Sequence, residues 1–353
     1  MATSMQTSWV DFLKDVDAII DVRSPHEFAH DHIPGAINLP VLYDDQHAQI
    51  GTMYKQESPF SAKRLGAAWV SENISQHLHG HFQDKGKNYR PGVYCWRGGQ
   101  RSGAMATILS AVGWKTKTLA GGYKMYRQHV VDALYHKPLS QMFIRVDGNT
   151  GTGKTSLLQM LAKNGEFVVD LEAIAHHRGS VLGGLGQKSQ PSQKWFESQI
   201  YVHLQKSDGP IWIEAESLKI GKLRLPPKLW EAMCDAPIVM LESDSTRRVR
   251  HLSTIYDVDG LDAGEICEKL EFLRPLRGHE VVTYWQNLAR AQNWSALIES
   301  LLAQHYDPSY RRSRQANVAA GATFNILDSS GSVDVELVDK LLTETRLKLG
   351  SHC

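Results

Sequence analysis

The run Gly148-Asn149-Thr150-Gly151-Thr152-Gly153-Lys154-Thr155 constrains this chain more than any other. A loop of this composition belongs between a buried strand and a helix, because its backbone N–H groups must converge on phosphate oxygens at a helix start. Both flanks are present. Residues 142–146 read as the strand and 155–163 as the helix, closed near Gly165. Gly148 and Gly153 permit the tight turns, Lys154 supplies a mobile charge, and Thr155 is placed to reach a magnesium ion. The motif predicts a parallel α/β layer that binds a diphosphate or triphosphate. It leaves open which molecule carries it.

A second loop lies upstream. Tyr94-Cys95-Trp96-Arg97-Gly98-Gly99-Gln100-Arg101-Ser102 sets one thiol in a glycine-rich turn directly after a strand. Cys95 and Arg101 stand in Cys-x5-Arg spacing, by which a loop wraps an oxyanion and returns an arginine to it. Loop N–H groups, the following helix start, Arg97 and Arg101 are all expected to lower the thiol pKa.

At 353 residues the chain exceeds one ordinary core, so two domains are expected. Strands at 18–22, 92–95 and 114–119 alternate with helices at 102–112, stopped by Gly113, and from Gly121-Gly122 to about 135. That alternation predicts a small parallel α/β domain over 10–136. Lys137-Pro138 reads as the joint, since proline disfavours helix in the residue before it. The rest, 139–353, reads as a phosphate-loop α/β domain with strands at 167–169, 211–213, 238–241 and 324–327. Its helical C-terminal part begins near 260, with Leu270, Leu273, Leu288, Leu297 and Leu301 in the core. Residues 179–193, rich in Gly, Ser and Gln, read as a mobile loop near a ligand.

Composition narrows the setting. No apolar run is long enough to cross a bilayer, and Asp11, Lys14 and Asp15 near the start argue against a signal peptide. Cys95, Cys234, Cys267 and Cys353 lack metal spacing and argue against a disulfide framework, which suits a reducing cytoplasm. Cys234 and Cys267 read as core residues and Cys353 as exposed. A formal net charge of +1 means that any RNA affinity must come from local patches.

Several charged residues are candidates for such work. Asp170 and Glu172 follow one strand, Glu214 and Glu216 another, and Glu214 is the better placed to partner a metal or phosphate. Arg247, Arg248 and Arg250 follow a strand where phosphate-clamping arginines are often found. Basic groups that suit RNA phosphates are His176, His177 and Arg178, then Lys219, Lys222, Arg224 and Lys228, then Arg311, Arg312 and Arg314 beside Tyr310, an aromatic able to stack on a base. The acidic residues read equally as ordinary solvated surface, and each basic cluster taken alone more often is one.

Asp21-Val22-Arg23-Ser24-Pro25-His26-Glu27-Phe28, His32-Ile33-Pro34-Gly35-Ala36-Ile37-Asn38 and Leu119-Ala120-Gly121-Gly122-Tyr123, with the cysteine loop, resemble the rhodanese family. That family moves sulfur or selenium on a cysteine. Asp21 and Arg23 are expected to pair structurally. The phosphate loop, Asp170-Leu171-Glu172-Ala173, His177-Arg178-Gly179-Ser180, Gln190-Pro191-Ser192-Gln193-Lys194 and His305-Tyr306-Asp307-Pro308 extend the resemblance to the bacterial tRNA 2-selenouridine synthase family. Val181-Leu182-Gly183-Gly184 departs from it, where an aromatic residue is expected.

The resemblance implies a transferase acting on the wobble uridine of tRNA that already carries 2-thiouridine. Geranyl diphosphate first alkylates the ring sulfur, and selenium from selenophosphate then replaces the geranylthio group. Gly151, Gly153, Lys154 and Thr155 would hold the departing diphosphate. Cys95 would carry selenium as a perselenide or assist its delivery, with Arg97 and Arg101 on the phosphate of selenophosphate. No tightly bound cofactor and no dedicated metal site are implied, with magnesium at Thr155 an option. A selenophosphate synthetase is the implied selenium supplier. Two alternatives stay open: a rhodanese sulfurtransferase fused to an ATP-using kinase or ATPase, and a non-catalytic protein whose two loops sense anions.

Overall fold

The computed structural model describes residues 6–7, 9–179, 188–255, 262–316, 323–328 and 335–350. The 181–184 departure and Cys353 lie outside the described residues, and so does the side chain of Arg314. The chain divides into two compact units. The first comprises Met1–His136 together with Ser192–Val202, and the second Lys137–Pro191 together with His203–Cys353.

Five parallel strands form the sheet of the first unit: β1 (Gln6–Thr7), β2 (Ala18–Asp21), β3 (Ile37–Asn38), β4 (Pro91–Tyr94) and β5 (Lys117–Leu119). Their order is β1-β5-β4-β2-β3. β4 is central and buried at all four residues, as its unbroken apolar run requires in a sheet covered on both faces. Ile20, Val22 and Val93 meet Ile74, Met105 and Leu109 from the helices, and all six are buried. The helix Gln100–Val112 stops at Gly113, whose φ of 114° is the left-handed stop expected from the sequence. Asp21 and Arg23 pair inside this unit with both side chains buried. Arg23 also donates to the Asp31 carbonyl at 2.7 Å, so the pair is structural.

One segment returns from far along the chain. Glu197, buried, accepts from Tyr135 at 2.6 Å and from Arg127. Ser198 donates to Asp31 at 3.2 Å, and Trp195 lies 4.1 Å from the His32 ring. Ser192–Val202 thus packs with the first unit, although the sequence places it well inside the second half.

The second unit holds β6 (Phe143–Gly148), β7 (Phe167–Val169), β8 (Ile211–Glu214), β9 (Lys219–Ile220), β10 (Leu223–Arg224), β11 (Ile238–Glu242) and β12 (Thr323–Asp328). Five of them form a parallel sheet in the order β12-β11-β6-β8-β7. β9 and β10 make a separate antiparallel hairpin. β6 is central, so the phosphate loop at its end is flanked by the ends of β8 and β11. Leu157, Leu158 and Leu161 from the helix Lys154–Lys163 pack on Ile144, Val146, Trp212 and Leu241, which fixes that helix on the sheet. Each such leucine contributes roughly 1.5–3 kcal/mol by leaving water. The helical part closes its own core around Leu270, Leu273, Trp285, Leu297 and Leu301, with Leu288 at its partly buried margin. Cys267, half-buried, packs against this helical core as expected, whereas Cys234 is also only half-buried, which corrects the expectation that it is core.

Candidate functional site

The end of β4 delivers Cys95 into a tight loop closed by the helix Gln100–Val112. Gly99 donates its backbone N–H to Sγ at 3.3 Å, and Ser102 Oγ lies 3.2 Å away. The residue is only 3% exposed, yet the sulfur faces polar donors. Tyr123 N donates to the Cys95 carbonyl at 2.8 Å and Lys124 N to the Trp96 carbonyl at 2.9 Å. This closing turn needs glycine. A Cβ on Gly122, at φ +57°, would stand 2.2 Å from the Cys95 carbonyl oxygen.

Burial pushes the Cys95 thiol up, but the Ser102 hydroxyl and the N–H groups of Ser102, Gly99 and Arg97 outweigh it, and the net pKa falls below that of an ordinary thiol. The expected arginine effect is corrected here. Arg101 gives its guanidinium to Glu27, at 2.6 and 3.3 Å, and Arg97 is exposed. Loop N–H groups and a hydroxyl do the work instead. Iodoacetamide labelling of Cys95 followed against pH should therefore show a midpoint below that of free cysteine. Ser102→Ala should move it upward; an unchanged midpoint would remove the hydroxyl from the account.

The second loop joins β6 to the helix Lys154–Lys163. Lys154 Nζ donates to the Gly148 carbonyl at 2.9 Å and stands 5.5 Å from the Tyr310 ring centroid. Burial works against its charge, but Tyr310 and the carboxylates of Glu216, Glu172 and Glu214 hold its pKa above the usual lysine value. Thr152 Oγ1 bonds the Asn149 carbonyl at 2.9 Å and braces the loop. Arg248 is the one of the three arginines that reaches it. Its Nε donates to the Thr150 carbonyl at 2.8 Å, while its two terminal nitrogens bind Asp307 at 3.0 and 2.7 Å. Asn149 Nδ2 also donates to Asp307, at 3.1 Å. Arg247 instead pairs with Asp244 on the surface, and Arg250 is exposed.

Acidic side chains gather at the ends of β7 and β8. Glu214 is fully buried and Oε1 accepts the Glu172 N–H at 2.7 Å. Burial, then the neighbouring Glu216 charge, pushes Glu172 up to about 8. Glu214 rises well above the ordinary range through burial and the charges of Glu172 and Glu216. Asp170 stands apart: Oδ1 caps the helix Leu171–Ala175 by accepting from Ala173 N at 2.8 Å.

Of the basic candidates, Lys219 and Arg224 face each other across the β9–β10 hairpin, and with Lys222 they are exposed. Lys228 is paired with Glu231. His176 and His177 end the helix Leu171–Ala175, and burial lowers the His177 pKa. Arg178 is half-buried, Arg311 and Arg312 are exposed, and Tyr310 is turned to Lys154. Glu27, Ser102 and Asp307 were not singled out as site residues from sequence. All three did lie within the motifs that carried the family resemblance, which is the signal that marks them.

Residues 7–129 match the rhodanese-like domain model, and residues 141–269 match the model of the tRNA 2-selenouridine synthase AAA domain. A tRNA 2-selenouridine synthase of Hahella chejuensis is 33% identical over 309 residues, covering 83% of this chain and 80% of that protein. This chain belongs to the tRNA 2-selenouridine synthase family. A synthase of the same name from Pseudomonas syringae pv. tomato is 31% identical over 350 residues, covering 89% of this chain and 94% of that protein. With that of Nitrosomonas europaea the identity is 34%, over 67% of this chain and 63% of that protein. Family membership agrees with the resemblance carried by the motifs and with the two α/β units. Among the described residues no helix is long and apolar enough to cross a membrane.

Proposed function

We propose that this chain, like its named relatives, converts 2-thiouridine in tRNA to 2-selenouridine, in the cytoplasm and in two steps. In the first, the ring sulfur attacks the allylic carbon of geranyl diphosphate; a carbon–sulfur bond forms and diphosphate leaves. The N–H groups of the phosphate loop and Lys154 stabilise that departing charge. In the second, selenium from selenophosphate adds at C2 and the geranylthio group departs as the thiol. The phosphoryl group of selenophosphate passes to water as phosphate.

The observation that carries this reading is the pairing of two loops in one chain. One cradles a thiol whose pKa is lowered by N–H and hydroxyl donors, and the other carries the full residue pattern of a phosphate-binding loop between strand and helix. Cys95 acts on the selenium donor, and exposed Arg97 is free to meet its phosphoryl group. Arg101 serves first to fix the loop through Glu27. The exposed Lys219, Lys222 and Arg224 hairpin suits tRNA phosphates. A selenophosphate synthetase would supply the donor.

The test mixes purified protein with thiolated tRNA, geranyl diphosphate and selenophosphate, singly and together, and identifies the nucleosides by mass spectrometry. Geranyl diphosphate alone should give S-geranyl-2-thiouridine, and both co-substrates should give 2-selenouridine. Unmodified tRNA alongside steady ATP hydrolysis would replace this reading with the sulfurtransferase–ATPase one.

A further inference from the structure

Three glutamates of the second unit converge on one point. Glu214 is the last residue of β8, Glu216 follows two residues on, and Glu172 lies in the first turn of the helix Leu171–Ala175. One carboxylate oxygen from each lies within 4.8 Å of the other two. At this separation each pair of ionised carboxylates repels by roughly 3–4 kcal/mol at an effective dielectric of about 20. Asp147 and Asp170 add negative charge at longer range, and Lys154 brings one positive charge.

A second observation points to what belongs there. Glu214 is fully buried, and although Oε1 accepts the Glu172 N–H, Oε2 has no hydrogen-bond partner. A buried carboxylate oxygen left without a donor is costly, and a cation bound between the three side chains would relieve that cost without protonating Glu214. The backbone closes over the same place. A Cβ on Gly179, at φ +65°, would lie 2.7 Å from Glu172 Oε1 and 2.9 Å from both Glu216 carboxylate oxygens. All three side chains offer carboxylate oxygens, which selects a hard cation over a soft one.

We propose that Glu172, Glu214 and Glu216 form a divalent-cation site, of the Mg2+ or Mn2+ class, that fills in the free protein before any phosphate ligand arrives. This separates it from a magnesium ion held by Thr155 and substrate phosphates, which has few protein ligands until the substrate binds. The site needs neither tRNA nor geranyl diphosphate, so it stands or falls apart from the reaction proposed above.

Manganese chloride titrated into substrate-free protein in phosphate-free buffer, with free Mn2+ read by electron paramagnetic resonance, tests it. One saturable site per chain is expected. Glu214→Gln and Glu216→Gln should each weaken binding at least tenfold, while Thr155→Ala leaves it unchanged. Absence of saturable binding, or wild-type affinity in both glutamine variants, overturns the proposal. Should these variants fail to fold, the wild-type protein decides: Mn2+ should broaden the Gly179 amide resonance among the first affected. Broadening centred elsewhere is equally fatal.

Discussion

Cys95→Ala is expected to abolish selenation and to leave geranylation intact. The substitution removes one sulfur atom from the base of a loop whose shape is set by other groups. Tyr123 and Lys124 hold the loop carbonyls, and Arg101 is anchored on Glu27. The cost to folding should be about 1–2 kcal/mol, from lost contacts and the two weak bonds to sulfur. The cost to chemistry is far larger, because among the described residues the other thiols, Cys234 and Cys267, belong to the second unit and not to this loop. Loss of a side chain that acts directly on a reactant costs at least about 10³-fold. Nucleoside mass spectrometry of tRNA incubated with the variant and both co-substrates should therefore show S-geranyl-2-thiouridine accumulating, with 2-selenouridine near background. Normal selenouridine formation by Cys95→Ala would remove the cysteine loop from the reaction.

Much of this arrangement was legible in the sequence, and the parts that were not share a cause. β6, β7 and β11 were found because short runs such as Phe167-Val168-Val169 and Ile238-Val239-Met240-Leu241 are apolar and bounded by polar residues. Both loops were found because their residue types recur at fixed local spacing. The helices Asp44–Gln56 and Pro59–His79 escaped notice because they have little apolar face. The first buries no residue, and the second buries only Ala62, Gly66, Asn73 and Ile74. Contacts across long separations left no local pattern. Arg248 meets Asp307 across 59 positions, Arg101 meets Glu27 across 74, and Glu172 meets Glu214 across 42.

The consequence is chemical as well as topological. From sequence, loop N–H groups, the helix start and two arginines all looked like sources of the Cys95 acidity, because nothing in a string of letters says which arginine is already paired. In three dimensions one arginine is already neutralised by a carboxylate, and the acidity comes first from the Ser102 hydroxyl and then from the loop N–H groups. Arg248 repeats the lesson at the phosphate loop: Asp307 occupies both its terminal nitrogens, so its guanidinium braces the Thr150 carbonyl and the helix Asp307–Ala316 rather than standing free for a phosphate.

Lys154→Ala should suppress both products, which Cys95→Ala cannot do. Nζ sits at the helix start, tied to the Gly148 carbonyl, with its charge held by Tyr310 and three carboxylates. Removing one pre-positioned donor to a developing anion costs about 10²–10³-fold in rate, so geranyl transfer should fall by that much. On the proposed order of steps selenation should fall with it only because it consumes the geranylated product, and this dependence makes the order testable. Supplied with tRNA already geranylated, Lys154→Ala should recover selenation to near the wild-type rate, whereas Cys95→Ala should not respond. Thermal melting of both variants separates lost chemistry from lost folding. If Lys154→Ala instead forms selenouridine from ungeranylated tRNA at the wild-type rate, the diphosphate loop does not feed the cysteine loop. The two units would then perform unrelated reactions.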